Sequence, residues 1–125
     1  MDFTNKVVIV TGAGGDMGTA IVKKFTDLGA KAVILDIRED LAQKTAEKLQ
    51  LDAEHGYCLA ADVSDENSVK ETVKKIMDRY GRIDVLVNLA GISGPSARTE
   101  DYSFEATKKV FSVNVFGTFL MMQNI

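Results

Sequence analysis

The stretch VVIVTGAGGDMG, from Val7 to Gly18, decides the fold of this chain. Its four β-branched apolar residues predict a buried strand, and the glycines that follow predict a tight turn. A helical pattern begins at once, with Met17, Ile21, Phe25 and Leu28 on one face. Glycine in such a turn lets the backbone approach a pyrophosphate, and the helix N-terminus offers unpaired N–H groups to the phosphates. The stretch therefore predicts the first unit of a dinucleotide-binding fold.

The rest of the chain repeats this alternation. Further apolar runs occur at Ala32–Leu35, Tyr57–Ala60 and Val85–Val87, with helical patterns between them. The runs are continuous rather than alternating, which indicates a sheet covered on both faces. Right-handed crossovers then give an α/β fold with a Rossmann-type, doubly wound parallel sheet, and residues 1–125 form one domain.

The last part of the chain is predicted to be helical from Ser103 onward and is densely apolar. Such a helix is expected to be buried on most of its faces. It reaches Ile125 without a glycine, a basic last turn or a cap. We therefore expect the domain to be incomplete at its C-terminus, truncated after four strands and part of a fifth unit that carries this helix.

Composition excludes several classes of function. The chain is 46% hydrophobic and 26% charged, with a net charge of −3, which argues against nucleic acid as a partner. No apolar stretch is long enough to span a membrane, and the N-terminus has no signal-peptide pattern, so we expect a cytoplasmic protein. Cys58 is the only cysteine and His55 the only histidine, so we expect no disulfide, no metal site and no histidine-based triad.

Asp36 indicates which dinucleotide is bound. It ends the second apolar run, 24 residues after Gly12, close to the spacing at which an acid accepts hydrogen bonds from the adenosine ribose. A carboxylate at that position would repel a 2′-phosphate, so the sequence favours NAD. NADP is less favoured but stays open, because Arg38 is near.

Four motifs together resemble the signatures of the short-chain dehydrogenase/reductase family, in its order and at its spacings. They are the turn from Thr11 to Gly18, the pair Asp62-Val63, the stretch Val87–Gly91 and the stretch Val113–Thr118. The resemblance covers essentially the whole chain and implies its N-terminal portion. It implies an NAD(H)-dependent oxidoreductase acting on an alcohol or carbonyl substrate, and a homo-oligomer.

The resemblance also implies roles for individual residues. One group would line the pyrophosphate, another would hold the adenine, and a third would flank the nicotinamide-side ribose. Asn114 would be the catalytic asparagine, whose backbone holds a water of the proton relay. The implied cofactor-binding set is Gly12, Gly15, Asp16, Met17, Gly18, Asp36, Ile37, Asp62, Val63, Asn88, Ala90 and Gly91.

Three features depart from the family pattern. Asp16 stands where the family has glycine; it is a good N-cap, but its charge would lie close to the pyrophosphate. Leu89 replaces an asparagine. The family's catalytic serine and Tyr-x-x-x-Lys are missing, because the residues four places after the three tyrosines are Ala61, Asp84 and Ala106. We therefore expect the chain as it stands to be inactive.

Two other interpretations remain. The chain could be a non-catalytic dinucleotide binder, either a fragment or a degenerate homologue. It could also be a phosphate-switch receiver domain, which has this length and alternation. A receiver needs acidic residues at the end of its first strand, where this chain has Thr11 and Gly12, so we rank that interpretation last.

Overall fold

The computed structural model describes residues 1–125. The four strands are β1 (Val7–Thr11), β2 (Lys31–Asp36), β3 (Gly56–Ala60) and β4 (Val85–Val87). The helices are α1 (Asp16–Thr26), α2 (Glu39–Lys48), α3 (Glu66–Tyr80), α4 (Phe104–Phe111) and α5 (Thr118–Asn124). A π-helical segment, Ser112–Gly117, joins the last two.

The strands form one parallel sheet in the order β3-β2-β1-β4. Ile9 in the middle of β1 is paired with Val33 on one side and Leu86 on the other. A receiver-type fold has its third strand beside its first. Here β3 lies beyond β2, so the receiver interpretation is wrong and the predicted Rossmann-type sheet is confirmed.

The core lies on both faces of β1. Val7 and Ile9 pack in one buried cluster with Val69 and Ile76 of α3, and Val8 and Val10 pack in another with Val22 of α1 and Ala42 of α2. Each fully buried valine or isoleucine side chain in these clusters stabilises the fold by roughly 1.5–3 kcal/mol. Helices on both faces confirm the doubly wound arrangement.

The strands are not equally covered. All of β1 is buried, but every residue of β4 is only half-buried, and β3 is half-buried to exposed. The sheet order gives the reason, since β3 and β4 are its edges.

Both ends of α3 are capped, whereas the start of α1 differs from the prediction. Asp65 caps α3 by accepting from the N–H groups of Asn67 and Ser68, and Gly81 ends the helix with φ +69°. The N-cap of α1 is Gly15, so the prediction that Asp16 caps this helix is wrong; Asp16 is its first helical residue.

The prediction of which face of α1 is buried is partly wrong as well. Met17 is 67% exposed, while Gly18, Thr19 and Val22 are buried. Close packing on the turn selects this face: a Cβ added to Gly18 would lie 2.5 Å from the Cα of Ala13.

The C-terminal helical region differs from its predicted burial. Ser103 caps α4 by accepting from the N–H of Ala106, as the start at Ser103 predicts. Gly117 and Met121 are buried, but the opposite face is open and carries Phe111, Val115, Phe116, Phe119 and Met122. Burial on most faces was therefore a wrong expectation for this chain, because nothing in it packs against that side. None of the helices combines the length and the apolar character needed to cross a bilayer.

Candidate functional site

A cavity of about 230 Å³ opens at the carboxyl ends of the strands. It lies where β1 separates β2 and β3 from β4, the position at which open α/β sheets bind their ligands. Seven of the predicted cofactor-binding residues line it: Gly12, Asp36, Ile37, Asp62, Val63, Ala90 and Gly91. The structure therefore brings together residues from the ends of all four strands.

Gly12 brings the turn after β1 close to the chain after β4. Its φ of +62° is left-handed, and a Cβ there would lie 2.7 Å from the Cα of Ala90. An L-residue would therefore face both backbone strain and a clash with backbone. Glycine at this position lets the two chain segments meet at the cavity.

The N-terminus of α1 is left without side-chain capping. Gly15, as N-cap, has no side chain to accept a hydrogen bond, and the N–H groups of Gly15, Asp16, Met17 and Gly18 have no acceptor within the chain. The space around Gly15 is open, since a Cβ there would meet nothing within 4 Å. Free N–H groups and the positive end of the helix dipole make this turn a site for an anion.

Asp16 projects from this turn into solvent. Its side chain is fully exposed, and the nearest cation is the Lys48 ammonium, 3.8 Å from Oδ1. The turn thus carries one negative charge with a weak, solvated partner. Asp16, Met17, Gly15 and Gly18 belong to the turn and do not line the cavity.

Asp36 joins the end of β2 to the glycine-rich turn. Its Oδ2 accepts from the N–H of Gly14 at 2.9 Å, and its Oδ1 accepts from the N–H of Arg38 at 3.1 Å. A carboxylate has about four lone-pair positions, so it can accept two further hydrogen bonds. Asp36 is half-buried in the cavity wall, where such acceptors would face a ligand.

Asp62 and Val63 lie at the end of β3. One oxygen of Asp62, Oδ1, accepts from both the N–H and the hydroxyl of Ser64, at 2.9 and 2.6 Å. Val63 packs against Gly117, where an added Cβ would lie 2.6 Å from Val63 Cγ2. These contacts fix the Asp62 carboxylate and leave its other oxygen free at the cavity.

Thr11 is the residue that sequence reasoning missed. It is 1% exposed, and its hydroxyl oxygen accepts from the N–H groups of Leu89 and Ala90 at 3.0 and 3.1 Å. These bonds tie the end of β1 to the chain after β4. A threonine directly before the first glycine was the available signal, but its partners lie 78 and 79 residues away.

Asn114 lies in the π-helical segment and contacts one residue through both ends of its amide. Its Oδ1 accepts from the N–H of Ile92 at 2.8 Å, and its Nδ2 donates to the carbonyl of Ile92 at 2.9 Å. This pairing satisfies a polar side chain among apolar neighbours. π-helical turns occur often at functional sites, and the catalytic role of Asn114 stays a prediction.

Asn88 and Leu89 take different positions. Asn88 is exposed, makes no side-chain hydrogen bond and does not line the cavity. Leu89 lines the cavity and packs against the cluster that contains Val8 and Val10. Leucine at this position therefore adds apolar contact.

The other titratable candidates lie away from the cavity. His55 Nδ1 is 2.8 Å from Oδ1 of Asp52 in a turn, and burial raises the pKa of the Cys58 thiol. Burial also raises the pKa of Tyr80, whose hydroxyl donates to the carbonyl of Glu54 at 3.0 Å. None of these residues lines the cavity.

Known proteins resemble this chain over nearly its whole length. The sequence model of the short chain dehydrogenase family matches residues 6–125. Zerumbone synthase of Zingiber zerumbet is 37% identical over 125 residues, which cover 99% of this chain and 46% of that protein. An uncharacterized oxidoreductase of Thermotoga maritima is 37% identical over 121 residues, 97% of this chain and 47% of that protein.

Solved structures give the same result. The crystal structure of 3-ketoacyl-(acyl-carrier-protein) reductase from Brucella melitensis complexed with NADH matches with a TM-score of 0.90 and 34% identity, over 98% of this chain and 49% of that one. NAD+-bound xylitol dehydrogenase matches with a TM-score of 0.89 and 30% identity, over 100% of this chain and 48% of that one. The chain spans about half the length of the relatives it matches.

Proposed function

The chain belongs to the short-chain dehydrogenase family, and on that basis we propose that it forms the cofactor-binding part of an NAD(H)-dependent oxidoreductase. The substrate class is an alcohol or a carbonyl compound. The dinucleotide, when bound, supplies or accepts the hydride. This chain's residues bind it and orient it.

The uncapped N-terminus of α1 beside the cavity carries the proposal. Four N–H groups there, from Gly15 to Gly18, have no acceptor within the chain, and an anionic pyrophosphate would satisfy them. The turn leaves open space at Gly15. The NADH and NAD+ bound by the two structural relatives support the same cofactor here.

The remaining residues fit the other parts of a dinucleotide. Asp36 offers two unused acceptor positions for ribose hydroxyls, and Asp62 offers a free carboxylate oxygen for the adenine amino group. Ala90 and Gly91 would flank the nicotinamide-side ribose, and we place Asn88 beside them as a contact made only with cofactor present.

We further propose that NAD(H) is preferred over NADP(H). The carboxylate of Asp36 lies in the cavity wall, and its charge opposes a 2′-phosphate at the same position. Arg38, the nearest cation in sequence, is held by Asp40, with its Nε 3.1 Å from Oδ1. That pairing leaves Arg38 less free to receive a phosphate, which supports the same preference.

We also propose that residues 1–125 alone do not reduce carbonyl compounds. A developing alkoxide needs a proton donor, which contributes about 10²–10⁴-fold to the rate. Neither Tyr57 nor Tyr80 lines the cavity, and burial moves the pKa of Tyr80 further from neutrality. Asn114 is the single predicted catalytic residue present, and its side chain is bonded to Ile92.

Two measurements test the proposal. Calorimetric titration of residues 1–125 with NADH and NADPH should give tighter binding of NADH, and tighter binding of NADPH would contradict the assignment of Asp36. NADH oxidation is then measured against ketones, aldehydes and quinones, beside a chain extended by the downstream residues of a relative. Comparable turnover by both would show that the short chain holds catalytic residues other than those identified.

A non-catalytic dinucleotide binder is the second candidate, since residues 1–125 hold the residues for the cofactor and their one predicted catalytic residue, Asn114, is bonded to Ile92. Cofactor binding with no turnover from the extended chain would support it. Assembly as a homo-oligomer and a cytoplasmic location stay predictions from the sequence.

A further inference from the structure

Residues of β2 and α2 form hydrogen bonds with the backbone of the glycine-rich turn. The N–H of Ala13 donates to the carbonyl of Leu35, and the N–H of Gly14 donates to Oδ2 of Asp36, both at 2.9 Å. The hydroxyl of Thr45 donates to the carbonyl of Ala13, also at 2.9 Å. Three hydrogen bonds thus fix two consecutive residues of the turn from one side.

Thr45 makes its bond from inside the core. It lies in the middle of α2 and is 2% exposed. Valine would fill the same volume without a polar group, and a buried hydroxyl costs free energy unless it is hydrogen-bonded. Its bond to Ala13 is therefore a specific contact between α2 and the turn.

Asp36 is fitted equally closely against the turn. A Cβ added to Gly14 would lie 2.7 Å from Oδ2 of Asp36 and 2.5 Å from Cβ of Leu41. Glycine at this position is what allows the N–H to reach the carboxylate. Because the bond uses one of about four lone-pair positions, Asp36 can hold the turn and still accept from a ribose.

We propose that Asp36 and Thr45 are positioning residues that hold the turn in its cofactor-binding shape before the cofactor arrives. The part of this proposal that concerns the cofactor rests on the proposed function. A turn that is already ordered loses less conformational freedom on binding, which raises affinity for any ligand that uses it. Asp36 then has two separable roles, one towards Gly14 and one towards the ribose.

Two substitutions of Asp36 separate these roles. Asp36→Asn keeps an acceptor for the N–H of Gly14 and removes the charge, so the preference for NADH over NADPH should narrow while the hydrogen exchange of the Gly14 amide stays near native. Asp36→Ala removes both the acceptor and the charge, so the hydrogen exchange of the Gly14 amide should accelerate by about tenfold or more, as expected for one lost hydrogen bond to a charged group. Both cofactors should also bind more weakly than to Asp36→Asn.

Substitutions of Thr45 test how the turn is held while leaving Asp36, the proposed acceptor for the ribose, unchanged. Thr45→Val should weaken NADH and NADPH by the same factor, about 3–10-fold, with their ratio unchanged. Thr45→Ser keeps the hydroxyl and should bind both cofactors like the native chain. Comparing the two variants separates loss of the bond from loss of fold, because each changes one methyl-sized group.

The measurements are amide hydrogen exchange of the cofactor-free chain by NMR and cofactor titration by fluorescence. Native exchange of Gly14 in Asp36→Ala, or native affinities in Thr45→Val, would overturn the proposal. If exchange responds as expected but the native chain binds neither cofactor, the bonds to the turn stand and the proposed function fails. If the native chain binds NADH but the exchange of the Gly14 amide is unchanged in Asp36→Ala, the proposed function is supported and the positioning roles of Asp36 and Thr45 are wrong.

Discussion

Thr11→Val should destabilise the fold at the point where β1 meets the chain after β4. Valine keeps the volume of the side chain and removes the oxygen that accepts from Leu89 and Ala90 at 3.0 and 3.1 Å. The position is 1% exposed, so no water can replace that oxygen in place. The substitution therefore tests hydrogen bonding separately from packing.

The magnitude follows from the two N–H groups left without an acceptor. Each unpaired group costs about 1–2 kcal/mol, and the half-buried positions of Leu89 and Ala90 place the sum near 3 kcal/mol. The added methyl regains about 0.8 kcal/mol. The free energy of unfolding should fall by roughly 2 kcal/mol, against a total of about 6–19 kcal/mol for a chain of this length. The Tm should fall by roughly 6–10 °C.

Thermal and urea unfolding of Thr11→Val and Thr11→Ser measure this effect. Thr11→Ser keeps the oxygen, so the Leu89 and Ala90 amides should exchange as in the native chain, whereas in Thr11→Val they should exchange about tenfold faster. NADH binding should also weaken in Thr11→Val, because Gly12 and Ala90 lose their fixed approach. A Thr11→Val chain at least as stable as Thr11→Ser, with native exchange at both amides, would refute the reasoning.

Three further predictions concern charge and exposed surface. Asp16→Gly should tighten NADH binding in low salt by removing a fully exposed carboxylate beside the free N–H groups of α1; an unchanged Kd in low salt would mean that Asp16 points away from the phosphates. The Arg82 guanidinium and the N–H of Val7 hold the pKa of Asp84 well below its usual range, so this carboxylate stabilises the fold above its unfolded pKa of 3.8 and loses that effect as pH falls through the lower folded pKa. The free energy of unfolding of Asp84→Asn should therefore fall less steeply in acid than that of the native chain, as measured by urea unfolding between neutral pH and pH ~3. The same dependence on pH in both chains would show that Asp84 does not contribute to acid unfolding. Phe111 and Phe116 are 51% and 57% exposed on the open helix face. Replacing both by serine should therefore reduce self-association, measured by sedimentation velocity. An unchanged distribution of sedimentation coefficients would show that copies of the chain do not associate through this face.

Much of the site could be predicted because its signals are local. Glycines directly after a strand and before a helix limit the backbone to a tight turn, and Asp36 is placed by its position at the end of the next strand. Seven predicted residues line one cavity for this reason. The hydrogen bonds of Thr11 and Thr45 could not be predicted, since a hydroxyl in a strand or a helix has the same local pattern whether or not a partner lies across the fold. The position of Thr11 directly before Gly12 is a local signal, but it does not show that Leu89 and Ala90 are its partners.

The sequence by itself determined the strands and helices, their order along the chain and the parallel sheet, since periodicity and glycine positions act within a few residues. The tertiary structure alone decided which faces are covered and which polar groups meet. Strands β3 and β4 are as apolar as β1 but half-exposed, because the order β3-β2-β1-β4 places them at the edges. The bond from Gly14 to Asp36 spans 22 residues and that from Ala90 to Thr11 spans 79. Such contacts depend on which strands become neighbours, and that choice is made by the burial of the whole core rather than by any single stretch.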